Sequence, residues 1–146
     1  MIEIRELRTE EDINYCASAI LAFRDQLPSA ELIEKTLKMM REGFRIAFIP
    51  NDTDNYAAAF IGFRCYEMYR TGKIIYIDDI FTFPAYRSRG YAGALLDHVD
   101  EIAIEMNVES VHLDSGYTLH PAHRLYLNKG FVLPCHHFSR NIKSGH

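Results

Sequence analysis

Asp78 and Asp79 stand side by side at the end of an otherwise apolar run, Ile74-Ile75-Tyr76-Ile77. Adjacent carboxylates attract a cation, and their mutual repulsion can raise one pKa toward a value useful to a general base. A second kind of chemistry follows in Arg87-Ser88-Arg89-Gly90-Tyr91-Ala92-Gly93. There a strand hands over to a helix, whose first N–H groups lack partners and lie at the positive end of the macrodipole. A pyrophosphate fits such a turn if no side chain blocks its approach. Gly90, Ala92 and Gly93 clear that approach, and Arg87 and Arg89 add cationic charge. The pattern is neither a GxxxxGK loop followed by Ser or Thr nor a GxGxxG fingerprint. Plainer roles compete: the glycines can simply permit close helix packing, and the acids can cap a loop or meet Arg87 or Arg89.

The histidines invite a metal reading, since His120 and His123 are three apart, His136 and His137 adjoin, and His112 shares a strand face with Asp114. No HExxH or comparable signature accompanies them, so no metal is expected. Cys16, Cys65 and Cys135 are scattered and odd in number, which suggests neither a disulfide framework nor a zinc ribbon. A net charge of −4 argues against a nucleic-acid surface. The N-terminus lacks the basic start and apolar stretch of a secretory signal, and no long apolar run suggests a membrane span. A cytoplasmic protein is expected, folded as one domain over residues 1–146, with 48% hydrophobic residues enough for a continuous core.

The elements that must position these groups follow from periodicity. Ile2-Glu3-Ile4-Arg5 alternates like a strand, and Thr9 with Asp12 forms a capping box for a helix ending near Pro28. Ser29 can cap a second helix with Leu32, Ile33, Leu37 and Met40 on one stripe, closed by Gly43. Strands are expected over 44–49, 56–69 and 74–83, joined as an antiparallel meander. A helix over 89–106, a short strand over 110–114, a short helix over 121–129 closed by Gly130, and a final extended segment over 131–138 complete the chain. Strand, crossover helix and strand in succession make the last two strands of the sheet parallel. The class is α/β with a mixed, mostly antiparallel sheet.

Arg87, Gly90 and Ala92 resemble the acetyl-CoA motif of the GNAT superfamily of N-acetyltransferases, and Ala122, Tyr126 and Gly130-Phe131 resemble that family's second motif. The resemblance covers most of the chain and is weakest over the first 45 residues. It implies a sheet splayed between strands 4 and 5, about four flanking helices, and a pantetheine arm of acetyl-CoA wedged in the gap. The cofactor would lie along Ile80-Phe81-Thr82-Phe83, with the backbone of Phe81 and Phe83 pairing with its amides and the amide near Ile80 polarising the thioester carbonyl. Its pyrophosphate would rest on Arg87, Ser88, Arg89, Gly90, Tyr91 and Ala92.

The same resemblance makes Tyr126 a general acid for the departing thiolate and a cofactor contact, where packing is its alternative role. Asp79 is favoured over Asp78 as the base. Strict alternation would put the two on opposite faces, and a bulge of the kind common in the family would change that. His123 would contact the cofactor or pack beneath it. The acceptor side would draw on Phe23, Arg24, Asp78, Asp114 and His120. The run from Leu113 to Tyr126, with His137-Phe138, is similar to a small-molecule branch that includes aminoalkylphosphonate N-acetyltransferases, although Leu119 stands where many relatives carry Asn. A primary amine of a small molecule is the expected acceptor, and a homodimer is a possible state. A protein N-terminal or lysine acetyltransferase and a non-catalytic acyl-CoA-binding module are the rival readings.

Overall fold

The computed structural model describes residues 1–143. Their contacts divide them into two compact units, Met1–Leu113 and the segment that starts at Asp114.

In the first unit, β1 (Arg5–Glu6), β2 (Arg45–Pro50), β3 (Ala57–Met68), β4 (Gly72–Thr82) and β5 (Ser110–Leu113) form a sheet in sequence order. The pairings are antiparallel except β4 with β5, which is parallel because helix α3 (Tyr91–Glu105) crosses between them. Only the first half of β4 is paired on its β5 edge: that ladder runs from Ile74↔Ser110 to Ile77↔Leu113, and β4 continues to Thr82 paired with β3 alone. β1 is shorter and later than the alternation at Ile2 suggests, and it pairs Arg5 with Phe48.

Helix α1 (Glu10–Phe23) begins at the capping box read from the sequence. Thr9 Oγ1 accepts from the Asp12 N–H at 3.1 Å, and Asp12 Oδ2 accepts from the Thr9 N–H at 3.1 Å. The helix stops at Phe23, ahead of Pro28, with the Arg24 N–H donating to the Ile20 carbonyl at 2.8 Å. Ser29 does not cap the next helix through its hydroxyl. Residues Ser29–Glu31 form a 3₁₀ turn in which the Ser29 carbonyl accepts from the Leu32 N–H, and α2 (Leu32–Arg41) grows out of that turn. Gly43, at φ +101°, ends it in the left-handed conformation.

The core under α1 and α2 comprises Leu7, Ile13, Cys16, Ala19, Ile20, Leu32, Phe44, Ile46, Phe48, Ala57 and Phe60. Leu95, Leu96 and Val99 bury the inner stripe of α3. Burial of aromatic and branched side chains on this scale, at about 1.5–3 kcal/mol each, is the main force fixing the sheet that carries the acids.

In the second unit, α4 (His120–Asn128) ends in a Schellman motif: the Phe131 N–H donates to the Tyr126 carbonyl at 3.0 Å and the Gly130 N–H to the Leu127 carbonyl at 3.1 Å, with Gly130 at φ +91°. Residues 131–140 form no strand. Pro134 has no N–H to give a ladder, and Val132, Leu133 and Phe138 are exposed, so the expected extended segment ends as coil. Among the described residues, no helix is long and apolar enough to cross a membrane.

Candidate active site

The acids of β4 are arranged by a bulge. Gly62 of β3 pairs with Asp79 and the next residue, Phe63, pairs with Ile77, so Asp78 is the extra residue. Directly paired residues share a face. Tyr76 lies opposite Arg64, Asp79 opposite Gly62, and Phe81 opposite Phe60, and these β3 partners alternate onto the face that packs under α1. Asp78 reaches Arg64 on that same face, so the bulge brings both carboxylates to one side of the sheet.

Each acid has its own arginine, and neither is Arg87 or Arg89. Arg64 forks onto Asp78, with Nε donating to Oδ1 at 3.0 Å and Nη2 to Oδ2 at 2.6 Å, while its guanidinium lies 5.0 Å from the ring centre of Phe44. Arg24 donates from Nε to Asp79 Oδ1 at 2.7 Å, again from Nη2 to the same oxygen, and from Nη2 to the Asp78 carbonyl at 3.3 Å. Asp79 Oδ2 is left as an open acceptor. The Asp79 side chain is 17% exposed, and burial raises its carboxyl above the ordinary carboxylate value against the opposing pull of Arg24. Arg64 has no local signal in the sequence: its meaning depends on the register across the bulge.

Asp79 opens into a cleft of about 510 Å³ between α1, α2 and the sheet, whose wall includes Phe23, Arg24, Leu27, Thr36, Phe44 and Phe60. Asp78 is not part of that wall. Phe23 stacks on Phe81 at 5.4 Å and meets Phe60 edge-on at 6.4 Å. Gly62 makes room for this wall, because a Cβ there would fall 2.6 Å from Phe44 Cζ.

The open edge of β4 corrects one assignment. The Phe83 N–H donates to the Ala58 carbonyl at 3.0 Å, so Phe83, and Phe81 two residues before it, turn their backbone groups toward β3. Their rings pack with Tyr56, Phe23 and Phe60. The groups that face outward belong to Ile80 and Thr82. The Thr82 carbonyl accepts from Arg87 Nε at 3.2 Å, while the N–H and C=O of Ile80 and the N–H of Thr82 face the edge that β5 leaves uncovered.

Beyond Thr82 a 3₁₀ turn over Pro84–Tyr86 leads to two left-handed residues, Ser88 at φ +66° and Gly90 at φ +81°, immediately before α3. Gly90 caps α3 with no side chain, and a Cβ at this position would meet nothing within 4 Å. Helix packing therefore does not explain the glycine; the backbone turn and the open approach do. The amides of Ser88, Arg89, Gly90, Tyr91, Ala92 and Gly93 find no backbone acceptor among the described residues, which is the donor array that an anion at a helix N-terminus needs. Arg89 is engaged with Asp52 at 3.0 Å and lies 4.7 Å from the Tyr86 ring centre.

In the second unit, His123 Nε2 lies 2.7 Å from the Gly116 carbonyl and braces the loop before α4, and His120 opens that helix edge-on to His123 at 5.9 Å. His137 Nδ1 approaches Asp114 Oδ2 at 3.4 Å. Tyr126 is half-buried, packs edge-on with Phe131 at 5.9 Å, and has its phenol pKa raised by desolvation. Among the described residues no cluster of three His, Cys, Asp or Glu side chains could hold a metal ion.

Residues 6–131 match the model of the acetyltransferase (GNAT) family. An uncharacterized N-acetyltransferase of Bacillus subtilis, YhdJ, is 33% identical over 72 residues, which span 49% of this chain and 51% of that relative, about half its length. Two solved structures share the fold. A predicted acetyltransferase from Clostridium acetobutylicum with acetyl-CoA superposes with a TM-score of 0.74 at 21% identity, covering 100% of this chain and 99% of the other. The aminoglycoside N-acetyltransferase AAC(6')-Iy in complex with CoA superposes at 0.83 with 14% identity, covering 97% and 95%.

Proposed function

The chain belongs to the GNAT family of acetyltransferases, and on that premise we propose that it moves an acetyl group from acetyl-CoA to the primary amine of a small molecule by direct attack on the thioester. One observation supports this reading: consecutive residues of β4 present a side chain to the cleft and a backbone amide to the open strand edge, where the two substrates would lie. Asp79 turns its carboxylate into the cleft, and Ile80 turns its N–H to the open strand edge.

The residues present fit acetyl-CoA. The amides from Ser88 to Gly93 would hold its pyrophosphate, with Arg87 positioned at the strand end, and the outward groups of Ile80 and Thr82 would pair with the pantetheine arm. When bound, the thioester supplies an activated acetyl carbon. Asp79 Oδ2 accepts the proton that an incoming ammonium must lose before its nitrogen can attack, directly or through a water. The outward Ile80 N–H would be the donor available to the thioester carbonyl oxygen as negative charge develops there. Tyr126, a phenol whose pKa burial raises further, would be the group to supply the proton that a departing thiolate needs. Asp78 holds Arg64 and the bulge, which leaves the base role to Asp79.

The cleft's size and its position between two helices suit a small acceptor better than a protein surface. The test is thiol release from acetyl-CoA across a library of small amines, peptides and lysine-bearing proteins. Turnover with small amines is the expected outcome; release with peptides or proteins alone would reject the acceptor class, and binding of CoA without release across the whole panel would reject the activity.

A further inference from the structure

Two adjacent acids read as a lure for cations, yet in the folded protein each is already paired with an arginine, and of their carboxylate oxygens Asp79 Oδ2 alone is left open by the described residues. Arg64 covers Asp78 with a two-point fork and Arg24 covers Asp79. Of the charged residues lining the cleft, Arg24 and Lys35 balance Asp25 and Asp79. Its remaining wall is mostly apolar, with Ile20, Leu27, Leu32 and Met39 beside the aromatic rings. A polycation placed here would find no surplus of carboxylates. Taking the cleft as the acceptor site proposed above, we infer that the acceptor is a monoamine carrying a single anionic group on a short apolar body, and that Arg24, with Lys35, selects it by that anion.

Arg24 is built for this task. Its Nε and Nη2 are spent on Asp79 and the Asp78 carbonyl, while Nη1 donates to no described residue and the side chain is 49% exposed. The guanidinium lies 4.3 Å from the ring centre of Phe23, which fixes its plane. Lys35 and Asp25 hold no ion pair among the described residues. The acceptor's ammonium then meets Asp79 Oδ2, and its acid meets Nη1 of Arg24 and the Lys35 ammonium. A carboxylate and a phosphonate are both anions that such donors bind through charge-assisted hydrogen bonds.

The experiment compares matched acceptors: alanine, leucine and phenylalanine, their aminophosphonate counterparts, the corresponding decarboxylated amines, and spermidine. With acetyl-CoA present, kcat/KM for an acid-bearing amine is expected to exceed that of its decarboxylated partner by roughly tenfold or more, the effect of one or two charge-assisted hydrogen bonds. Arg24→Gln is expected to bring the ratio close to one, chiefly through KM of the acid, and Arg24→Lys to restore part of it. The carboxylate and phosphonate arms show which anion is taken. Equal use of both partners, a preference for spermidine, or a ratio unchanged in Arg24→Gln overturns the inference. Calorimetric titration of the same compounds into protein loaded with CoA reads the preference without turnover. An Arg24-dependent preference in binding with no thiol release would leave the inference standing and reject the transferase reading; no preference in binding would overturn the inference.

Discussion

Gly90→Asp separates the anion site from the fold, because the two effects of the substitution act on different equilibria. Gly90 lies at φ +81° and caps α3 with no side chain, and a Cβ there would meet no neighbour within 4 Å. A left-handed L-residue costs about 1–2 kcal/mol, least for Asp and Asn. Relative to glycine, an aspartate at the helix cap returns at most a few tenths of a kcal/mol by capping, and roughly 0.3–1 kcal/mol through the macrodipole. Net stability should therefore change by no more than about 1 kcal/mol, a small shift in Tm. Binding responds differently. The new carboxylate takes up the amides a pyrophosphate needs and stands beside it; a like-charge pair at 4 Å costs about 4 kcal/mol at an effective dielectric of 20, and exposure reduces this to roughly 2–3 kcal/mol. Calorimetric titration with CoA should show affinity lower by about 30- to 150-fold, with the loss shrinking as salt is raised. Gly90→Ala is the control that adds strain without charge. Affinity of a folded Gly90→Asp protein within twofold of wild type would refute the placement of the pyrophosphate on this turn.

Asp79→Asn should lower kcat by about 100-fold or more in thiol-release assays at neutral pH, as loss of a general base does. Its stability effect has the opposite sign: the folded pKa of Asp79 lies above the unfolded value of 3.8, so its favourable contribution is present below that value and is lost as pH rises through the folded pKa. Tm of Asp79→Asn at pH 7 should accordingly equal or exceed that of wild type, measured by calorimetry. Tyr126→Phe should reduce kcat by about tenfold or more while CoA affinity stays within twofold; unchanged turnover would reject the acid role. Gly62→Ala should destabilise by about 1–3 kcal/mol in urea unfolding, because its Cβ would collide with the buried Phe44 ring 2.6 Å away.

Much of this architecture could be read from residue order. The Thr9–Asp12 box, the Gly43 and Gly130 stops and the crossover to a parallel strand are local signals with a single good solution, and the structure realises each of them. The turn at Gly90 was legible for the same reason: a glycine before a helix start has a conformation of its own to satisfy. What escaped depended on register. Assigning outward backbone groups to Phe81 and Phe83 required knowing the pairing of β4 with β3, and a single extra residue at Asp78 decides that pairing. The partners of the acids escaped too, since Arg24 lies 55 positions from Asp79 and only the fold brings them together. Periodicity overreached at Ser29, where a carbonyl rather than a hydroxyl starts the helix, and at 131–138, where an apolar run found no strand to pair with.

The spare residue at Asp78 acts as a phase shift in the strand. Before it, odd-numbered positions such as Ile75 and Ile77 share the side of Cys65 and Phe63; after it, odd-numbered Asp79 and Phe81 share the opposite side with Gly62 and Phe60. Removing one codon there would carry Phe81 across the sheet and send Ile80 and Thr82 in the other direction, exchanging the roles of side chain and main chain at once. The wall of the cleft is thus open to substitution, but the strand that carries Asp79 and Ile80 is closed to any change in length.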